Sequence, residues 1–160
     1  MVTSLPKIAT QWQRFDELSL GALYELLRFR QQIFVVEQRS PYPDLDGLDQ
    51  PAWHLSLRAN GALAGCLRLL PPNPAAGKVR IGRVAVAIDL RRRAFGRRLM
   101  AEALSFCDKR YPGQPIVLSA QLRLESFYQS LGFYATAAPH DDFGVAHVEM
   151  AMPAGDDRAG

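Results

Sequence analysis

Hydrophobic and polar positions alternate at the start of the chain and then change to a helical spacing. Ile8, Thr10 and Trp12 follow the two-residue period of a strand. Ser19 then precedes apolar residues that recur at helical intervals, with only one longer gap: Leu20, Leu23, Leu27 and Phe34. Because serine is a favoured helix N-cap, the segment is predicted to be a helix whose apolar stripe faces the core.

One cation lies on this predicted stripe. Arg30 follows Leu27 by three residues and precedes Phe34 by four. A buried cation must be paired, and Glu37, further along the chain, is the candidate partner. Arg30 and Glu37 are predicted either to form a buried structural pair or to form a wall of an acceptor pocket.

The next segment combines a loop with a hairpin. Residues 39–51 contain three prolines, one glycine and three aspartates, which predicts an irregular, site-forming loop. Trp53, Leu55 and Leu57 then alternate up to Asn60–Gly61, a strong signal for a two-residue hairpin turn. A second strand is predicted to return over residues 63–70.

The apolar positions of the following strand change parity. Val79 and Ile81 are odd-numbered, whereas Val84 and Val86 are even-numbered, as though one residue had been inserted. A β-bulge near Gly82 explains this shift. The alternative is a central strand buried on both faces, for which parity carries little information.

The second half of the chain contains two helices and three short strands. One helix presents an apolar face made of Phe95, Leu99, Ala103 and Cys107. A strand is predicted over residues 116–120 and a helix over 124–131, which ends at Gly132. Two final strands, 133–138 and 146–152, flank a turn at 141–144. This order of elements predicts an α+β fold with a mixed sheet of about seven strands, in which the central strand–helix–strand unit makes two strands parallel.

Length and composition limit the class of protein. The 160 residues fit one domain, predicted over 1–153, with a tail over 154–160. Apolar residues make up 48% of the chain and charged residues 22%, which is typical of a folded globular protein. Without a long apolar run or a leader-like N-terminus, we expect a cytoplasmic protein that has no membrane partner. The two cysteines, Cys66 and Cys107, are predicted to be buried thiols, and no His or Cys spacing indicates a metal site.

Charge is concentrated in one place. The net charge is only +3, but five arginines fall between positions 91 and 98, where a strand leads into a helix. Unpaired amides at a helix start, the helix dipole and nearby arginines together predict a binding site for pyrophosphate. The alternative, a nucleic-acid-facing patch, lacks the interleaved aromatic residues that such binding uses, so no nucleic-acid partner is expected.

Several motifs resemble those of the GCN5-related N-acetyltransferase (GNAT) superfamily. The segment RRRAFG is similar to the superfamily's Q/R-x-x-G-x-G/A motif, with Arg91 first, Ala94 at the first glycine position and Gly96 last. The preceding RVAV strand and the later SFYQSLGF segment match further superfamily patterns. Gln121 lies where the superfamily usually has an asparagine that contacts the cofactor. The segments RQQIFVVEQ and SPYPDLDGLD, with Trp53 and His54, look like the ElaA-type bacterial subgroup, so the resemblance covers nearly the whole chain.

The resemblance implies an acyl-CoA N-acyltransferase fold and acetyl-CoA as the acyl donor, with no metal. The residues that it places against the cofactor are Val84, Ala85, Val86, Arg91, Arg92, Arg93, Ala94, Phe95, Gly96, Arg97 and Gln121. It places the acceptor beside Arg30, Phe34, Asp46 and Asp49. For the three aspartates of the 39–51 loop, capping of turns is the alternative role.

Three residues are candidates for proton transfer. The resemblance implies that Tyr128 protonates the departing thiolate, although a half-buried aromatic on an amphipathic helix is the alternative. Glu37 and His54 are the candidate bases, with a structural histidine as the alternative for His54. An amide freed by the bulge near Val84 would stabilise the charge that develops on the carbonyl oxygen.

The predicted activity is transfer of an acetyl group from acetyl-CoA to a primary amine, by direct attack in a ternary complex. The acceptor is an unidentified small molecule or peptide, and the protein is expected to be a monomer or a homodimer. The carboxylates between residues 37 and 49 favour a cationic acceptor. The alternatives are a non-catalytic acyl-CoA-binding module and transfer of a longer acyl chain, since acyl-homoserine lactone synthases share a similar residue pattern.

Overall fold

The computed structural model describes residues 4–154, in which eight strands form one sheet. Three α-helices, α1 (Leu20–Gln31), α2 (Phe95–Arg110) and α3 (Glu125–Gln129), are joined by a π-helix, Gln32–Glu37, and by short 3₁₀ turns. The strands are β1 (Ile8–Arg14), β2 (Trp53–Ala59), β3 (Ala62–Leu70), β4 (Val79–Val86), β5 (Ile116–Gln121), β6 (Tyr134–Ala135), β7 (His140–Asp142) and β8 (Val145–Met152). The sheet order is β1-β2-β3-β4-β5-β8-β6, and β7 pairs with β8.

All strand pairs except β4 and β5 are antiparallel, which confirms the predicted α+β class with a central parallel pair. The additional strand is β7, because the first half of the predicted 141–144 turn pairs with β8. The strand predicted over 133–138 is reduced to β6. Apart from residue 154, the predicted tail lies outside the described residues.

Helix α1 buries a different face from the one predicted. Its N-cap is confirmed, since the Ser19 side chain accepts a hydrogen bond from the Ala22 amide at 3.1 Å. Leu20, however, is 87% exposed, and the buried positions are Leu26, Arg30 and Ile33. These three are spaced by four and three residues, so they share one helix face, and only this second half of the segment is buried.

The hairpin turn and the bulge are both confirmed. Asn60 and Gly61 have φ of 51° and 84°, the left-handed pair that this tight turn requires. Gly82 pairs with Arg68 and Ala85 with Cys66, so two residues of β4 oppose the single intervening residue of β3. The extra residue bends β4 in the middle of the sheet.

The two faces of the sheet are different. Leu67 and Leu69 of β3 face the main core, where α2 buries Phe95, Leu99, Ala103 and Cys107 as predicted. Cys66 and Arg68 alternate with those leucines and therefore face the other side, which carries a small cluster with Leu26 and Ile33 of the α1 region. Both cysteines are buried thiols, as predicted, and burial raises the pKa of Cys66 to about 12.

Within residues 4–154, no helix combines the length and the apolar character needed to cross a membrane.

Candidate active site

A cleft opens where β4 and β5 separate. The two strands pair in parallel only from Val79 to Ile81 of β4, opposite Ile116 to Leu118 of β5. Beyond that point β4 carries the bulge, which bends it away from its neighbour. The resulting cleft has a volume of about 150 Å³ and is lined by residues of both strands, including Gly82, Val84, Ser119 and Gln121.

The turn before α2 presents unpaired amides. Arg92 and Ala94 both have left-handed backbones, with φ of 64° and 63°. Among the described residues, none accepts a hydrogen bond from the amides of residues 93–97. Such a turn at the N-terminus of a 16-residue helix attracts anions, so its backbone fits a phosphate group.

The two motif positions in this turn differ in what they require. The left-handed φ of Ala94 explains the preference for glycine there, since alanine costs about 1 to 2 kcal/mol in this conformation. Gly96 has an ordinary backbone, and a Cβ added to it would lie 3.5 Å from Cζ of Phe127 on α3. Gly96 therefore keeps open the space between the first turn of α2 and α3.

The arginines of this turn are not equivalent. Arg91 forms two hydrogen bonds to the Glu37 carboxylate, and its Nε donates to the Val86 carbonyl at 3.1 Å. Arg97 donates to the Ser130 hydroxyl at 2.9 Å. Arg92 and Arg93 are exposed and have no side-chain partner within residues 4–154.

The predicted pairing of Arg30 with Glu37 is wrong. Glu37 ends the π-helix on the side of the Arg91 turn, whereas Arg30 lies beneath the loop that follows. The hydrogen bonds from Arg91 lower the pKa of Glu37, with burial acting in the opposite direction. An ion-paired carboxylate of lowered pKa is a weaker base, which argues against the base role predicted for Glu37.

The loop aspartates pair with two buried arginines and one partly buried arginine. We call this group the Arg–Asp cluster: Arg30, Arg68, Arg83, Asp44, Asp46 and Asp49. Arg30 contacts Asp44 at 3.0 Å and Asp49 at 2.7 Å. Arg68 contacts Asp46 at 2.8 Å and Asp49 at 3.2 Å. Arg83 contacts Asp44 at 2.8 Å and Asp46 at 3.0 Å. Three positive and three negative charges thus hold the loop against the sheet.

Within this cluster the arginines favour the ionised carboxylates of Asp46 and Asp49. Burial alone would raise the pKa of Asp46, but hydrogen bonds from Arg68 and from the Leu48 amide lower it to about 2. Burial acts in the same sense on Asp49, and Arg30 and Arg68 nevertheless hold its pKa below the usual range.

Of the predicted acceptor-side residues, only Phe34 lines the cleft. Arg30 and Asp49 are buried within the Arg–Asp cluster, and Asp46 is bound to Arg68 and Arg83. The loop carboxylates were the reason to expect a cationic acceptor. Because arginines neutralise all of them, that reason no longer holds.

His54 lies outside the cleft. It is 4% exposed, and its Nε2 is 2.8 Å from the carbonyl oxygen of Asp49. Burial lowers its pKa, with the Asp49 contacts acting against this effect. These contacts support the structural alternative for His54, in which it holds the end of the 39–51 loop.

Tyr128 forms part of the cleft wall and packs against Phe127 and Phe133, at ring-centroid distances of 5.0 and 6.0 Å. Within residues 4–154 its hydroxyl makes no hydrogen bond. Burial raises its pKa to about 12, so the hydroxyl keeps its proton at neutral pH. A protonated, unpartnered hydroxyl in a cleft can act as a hydrogen-bond or proton donor.

Several further residues line the cleft that were not predicted from the sequence, because only the fold brings them together. They are Tyr42, Arg68, Arg80, Arg83, Ser119, Asp142 and His147. For Arg68 a signal existed, since it interrupts an apolar strand as Arg30 interrupts an apolar helix stripe. No spacing pattern marks the others. Within the described part of the chain, no three His, Cys, Asp or Glu side chains are grouped as metal ligands.

The cleft is covered by two loops that meet above it. The Ser40 hydroxyl donates to the Phe143 carbonyl at 2.8 Å, which joins the α1–β2 loop to the β7–β8 turn. The rings of Tyr42 and Phe143 pack edge to face at 5.8 Å.

Comparison with known proteins identifies the class. A family model described as "Acetyltransferase (GNAT) domain" matches residues 32–154. Protein ElaA of Escherichia coli (strain K12) is 38% identical over 145 residues, which cover 88% of this chain and 95% of ElaA. The chain therefore belongs to the GNAT acetyltransferase family and is of the ElaA type, and the protein is an acyltransferase.

Solved structures agree with this assignment. The crystal structure of Escherichia coli ElaA is similar at a TM-score of 0.86, with 37% identity over 91% of this chain and 99% of that one. An acyl-CoA N-acyltransferase from Pseudomonas aeruginosa has the same TM-score, with 34% identity and the same two coverages. The AHL synthase LasI, at 16% identity and a TM-score of 0.74, covers 92% of this chain and 90% of its own and shares the fold alone.

Proposed function

We propose that this protein transfers the acetyl group of acetyl-CoA to a primary amine by direct attack, while donor and acceptor are bound together. The observation that carries the proposal is the cleft between β4 and β5. Two loops cover this cleft, and β4 continues along the chain from it toward the turn of unpaired amides before α2. The donor phosphates would lie at the turn, and the amine would enter on the side of the loops.

The donor is held mainly by the backbone in this proposal. The amides of residues 93–97 would bind the pyrophosphate, and the exposed Arg92 and Arg93 would add charge. Arg91 has a different role, because its bonds to Glu37 and Val86 fix the turn rather than extend into solvent. Gln121 lines the cleft from the end of β5, where it can donate to the donor's amide groups.

Two hydrogen-bond donors of the protein would act on the thioester of acetyl-CoA. Acetyl-CoA supplies a thioester whose carbonyl carbon is open to attack. An amide at the bulge around Val84 is suited to donate to the carbonyl oxygen, because a bulge displaces its amides from the ladder. Tyr128 would donate its phenolic proton to the sulfur.

The test of the proposal is release of free CoA thiol, followed with a thiol-reactive disulfide reagent, in a panel of polyamines, amino acids, aminoglycosides and peptides. Amine-dependent release, together with the mass of an acetylated product, would support the proposal. Tight acetyl-CoA binding without release for any amine would indicate the binding-module alternative. Release only with longer acyl-CoA donors would indicate the second alternative, which is transfer of a longer acyl chain.

We expect acetyl-CoA to raise the melting temperature of the protein. A ligand that binds only the native state at 100 times its Kd adds about 2.7 kcal/mol, and roughly 2–4 °C accompanies each kcal/mol in a chain of this size. Dephospho-CoA should raise it less if Arg92 and Arg93 reach the 3′-phosphate, and a variant with both changed to glutamine should respond equally to the two ligands. No shift at millimolar acetyl-CoA would contradict the proposed donor.

Replacing Gly96 with valine should weaken donor binding more than it weakens folding. The branched side chain would fill the space between the first turn of α2 and Phe127. We therefore expect the Kd for acetyl-CoA to rise about tenfold or more, which corresponds to a loss of about 1.4 kcal/mol of binding free energy. The free energy of unfolding should change by less than about 1 kcal/mol through the lower helix propensity of valine. Gly96→Ala is the control, since its Cβ makes an ordinary contact at 3.5 Å. An unchanged Kd in folded Gly96→Val would show that the donor binds elsewhere.

A further inference from the structure

His147 is a half-buried residue of β8 that lines the cleft, and none of the roles described above involves it. It pairs in register with Gln121 of β5, so these two side chains are on the same face of the sheet. The neighbouring positions Val148 and Met150 are buried in the main core. By the alternation of the strand, His147 therefore faces the opposite side, where the covering loops lie.

The hydrogen bond made by this ring fixes its tautomer. Nδ1 of His147 lies 2.8 Å from the carbonyl oxygen of Val145. A carbonyl oxygen can only accept, so Nδ1 carries the proton in the neutral ring and Nε2 carries the lone pair. Within residues 4–154, Nε2 has no hydrogen-bond partner. The ring thus presents a free proton acceptor at the cleft.

The bases predicted from the sequence and the ion-paired carboxylates are less suited to this task. Glu37 is bound to Arg91, and His54 is buried outside the cleft against Asp49. The aspartates of the Arg–Asp cluster are neutralised by three arginines. Glu149 is a neighbour of His147 on the same strand face, but its carboxylate lies 3.4 Å from the Arg80 guanidinium.

The elements that pack around His147 carry several charged and titratable groups. β7 contributes Asp142, which has no ion pair within the described residues, and His140, whose ring is 6.2 Å from that of His147. The remaining groups come from β3, β4, β8, α3 and the α1–β2 loop: Arg68, Arg80, Arg83, Glu149, Tyr128 and Tyr42. Asp142, on the cleft wall, is placed to attract the ammonium form of an amine.

We propose that Nε2 of His147 is the general base that removes a proton from the acceptor ammonium, a role that rests on the proposed function. The proton passes from the ammonium nitrogen to Nε2, directly or through one water. The freed nitrogen lone pair forms the C–N bond with the acetyl carbonyl carbon, and the attacking nitrogen then loses its second proton to solvent. The C–S bond breaks with its electron pair on sulfur. Tyr128 protonates the thiolate, the tyrosine regains a proton from solvent, and the imidazolium releases its proton to solvent. The balance is ammonium plus acetyl-CoA giving amide, free CoA thiol and one proton.

The test compares His147→Asn with His140→Asn. Asparagine at 147 keeps an N–H that can donate to the Val145 carbonyl but lacks the basic nitrogen, whereas residue 140 is exposed and does not line the cleft. With the amine that gives the fastest thiol release in the panel, His147→Asn should lower kcat/KM about 10²- to 10⁴-fold. The acid limb of the wild-type pH profile should be absent in this variant, because asparagine carries no basic nitrogen. The melting-temperature shift caused by acetyl-CoA should be unchanged, and His140→Asn should behave as the wild type.

A second readout does not depend on activity. The ¹⁵N shifts of the His147 ring in the wild-type protein should show a protonated Nδ1 and an unprotonated Nε2 at pH 8. The reverse tautomer, or a His147→Asn variant within about threefold of wild-type kcat/KM, would overturn the assignment of the base and leave the proposed function standing. Absence of thiol release by the wild type with every amine would overturn the proposed function, and the base with it.

Discussion

Replacing Tyr128 with phenylalanine is expected to lower kcat by about 10²- to 10⁴-fold, the usual contribution of a positioned acid. The phenyl ring keeps the packing against Phe127 and Phe133, so the fold should be preserved. The hydroxyl makes no hydrogen bond within the described residues, so its removal leaves no partner unsatisfied. Only the donor to the departing sulfur is lost, and KM for acetyl-CoA should therefore hardly change.

The pH dependence of this variant provides a further check. The loss should become smaller as pH falls, because solvent can then supply the proton that the phenol no longer gives. Tyr134→Phe is the matched control, since Tyr134 is 53% exposed on β6 and does not line the cleft. A Tyr128→Phe variant that keeps most of its kcat across the pH range would leave Tyr128 as a packed aromatic and the acid unidentified.

Replacing Asp49 with alanine should lower the free energy of unfolding by about 3 to 5 kcal/mol, the usual cost of removing one partner from a buried ion pair. Asp49 bonds Arg30 at 2.7 Å and Arg68 at 3.2 Å, and all three side chains are at most 8% exposed. Two guanidinium groups would lose a charged partner at once. Since domains have only 5–15 kcal/mol of stability in total, this loss is a large fraction.

Denaturant unfolding of Asp49→Ala measures this loss, with Glu25→Ala as the control. Glu25 pairs with Arg58, but both side chains are about a third or more exposed, so its removal should cost under about 1 kcal/mol. If Asp49→Ala costs no more than Glu25→Ala, the Arg–Asp cluster does not hold the loop.

Low pH should reduce the stabilisation that the Arg–Asp cluster contributes to the fold. The pKa of Asp46 is held at about 2, below the value near 3.9 of an unfolded aspartate. The stabilisation is therefore fully present above about pH 4 and is lost as pH falls toward 2. Asp49→Ala, which already lacks one of these carboxylates, should lose less stability over this pH interval than the wild type.

Local patterns determined much of the fold. The Asn60–Gly61 turn, the bulge in β4, the Ser19 cap and the buried face of α2 all follow from rules that act within a few residues, and the structure confirms each of them. The motif around Ala94 and Gly96 likewise predicted a turn of unpaired amides, because those residue types are the ones that such a backbone tolerates.

Ion pairs between residues that are distant in the sequence could not be predicted from local patterns. Arg30 was expected to be buried and paired, and it is, but with Asp44 and Asp49 rather than with Glu37. Helical spacing states which side of a helix a residue occupies. It does not show where the following loop will fold. In the structure a π-helix follows α1, and Glu37 at the end of this π-helix pairs with Arg91.

The sequence by itself determined the class of protein, the order of its strands and helices apart from β7, and the position of the turn of unpaired amides before α2. Each of these depends on contiguous residues, whose periodicity and backbone preferences are local properties. The composition of the cleft was decided only by the tertiary structure. His147, Asp142 and Arg80 come together because β8 inserts beside β5 and the bulge separates β4 from β5, and pairing between distant strands is set by the burial of the whole sheet.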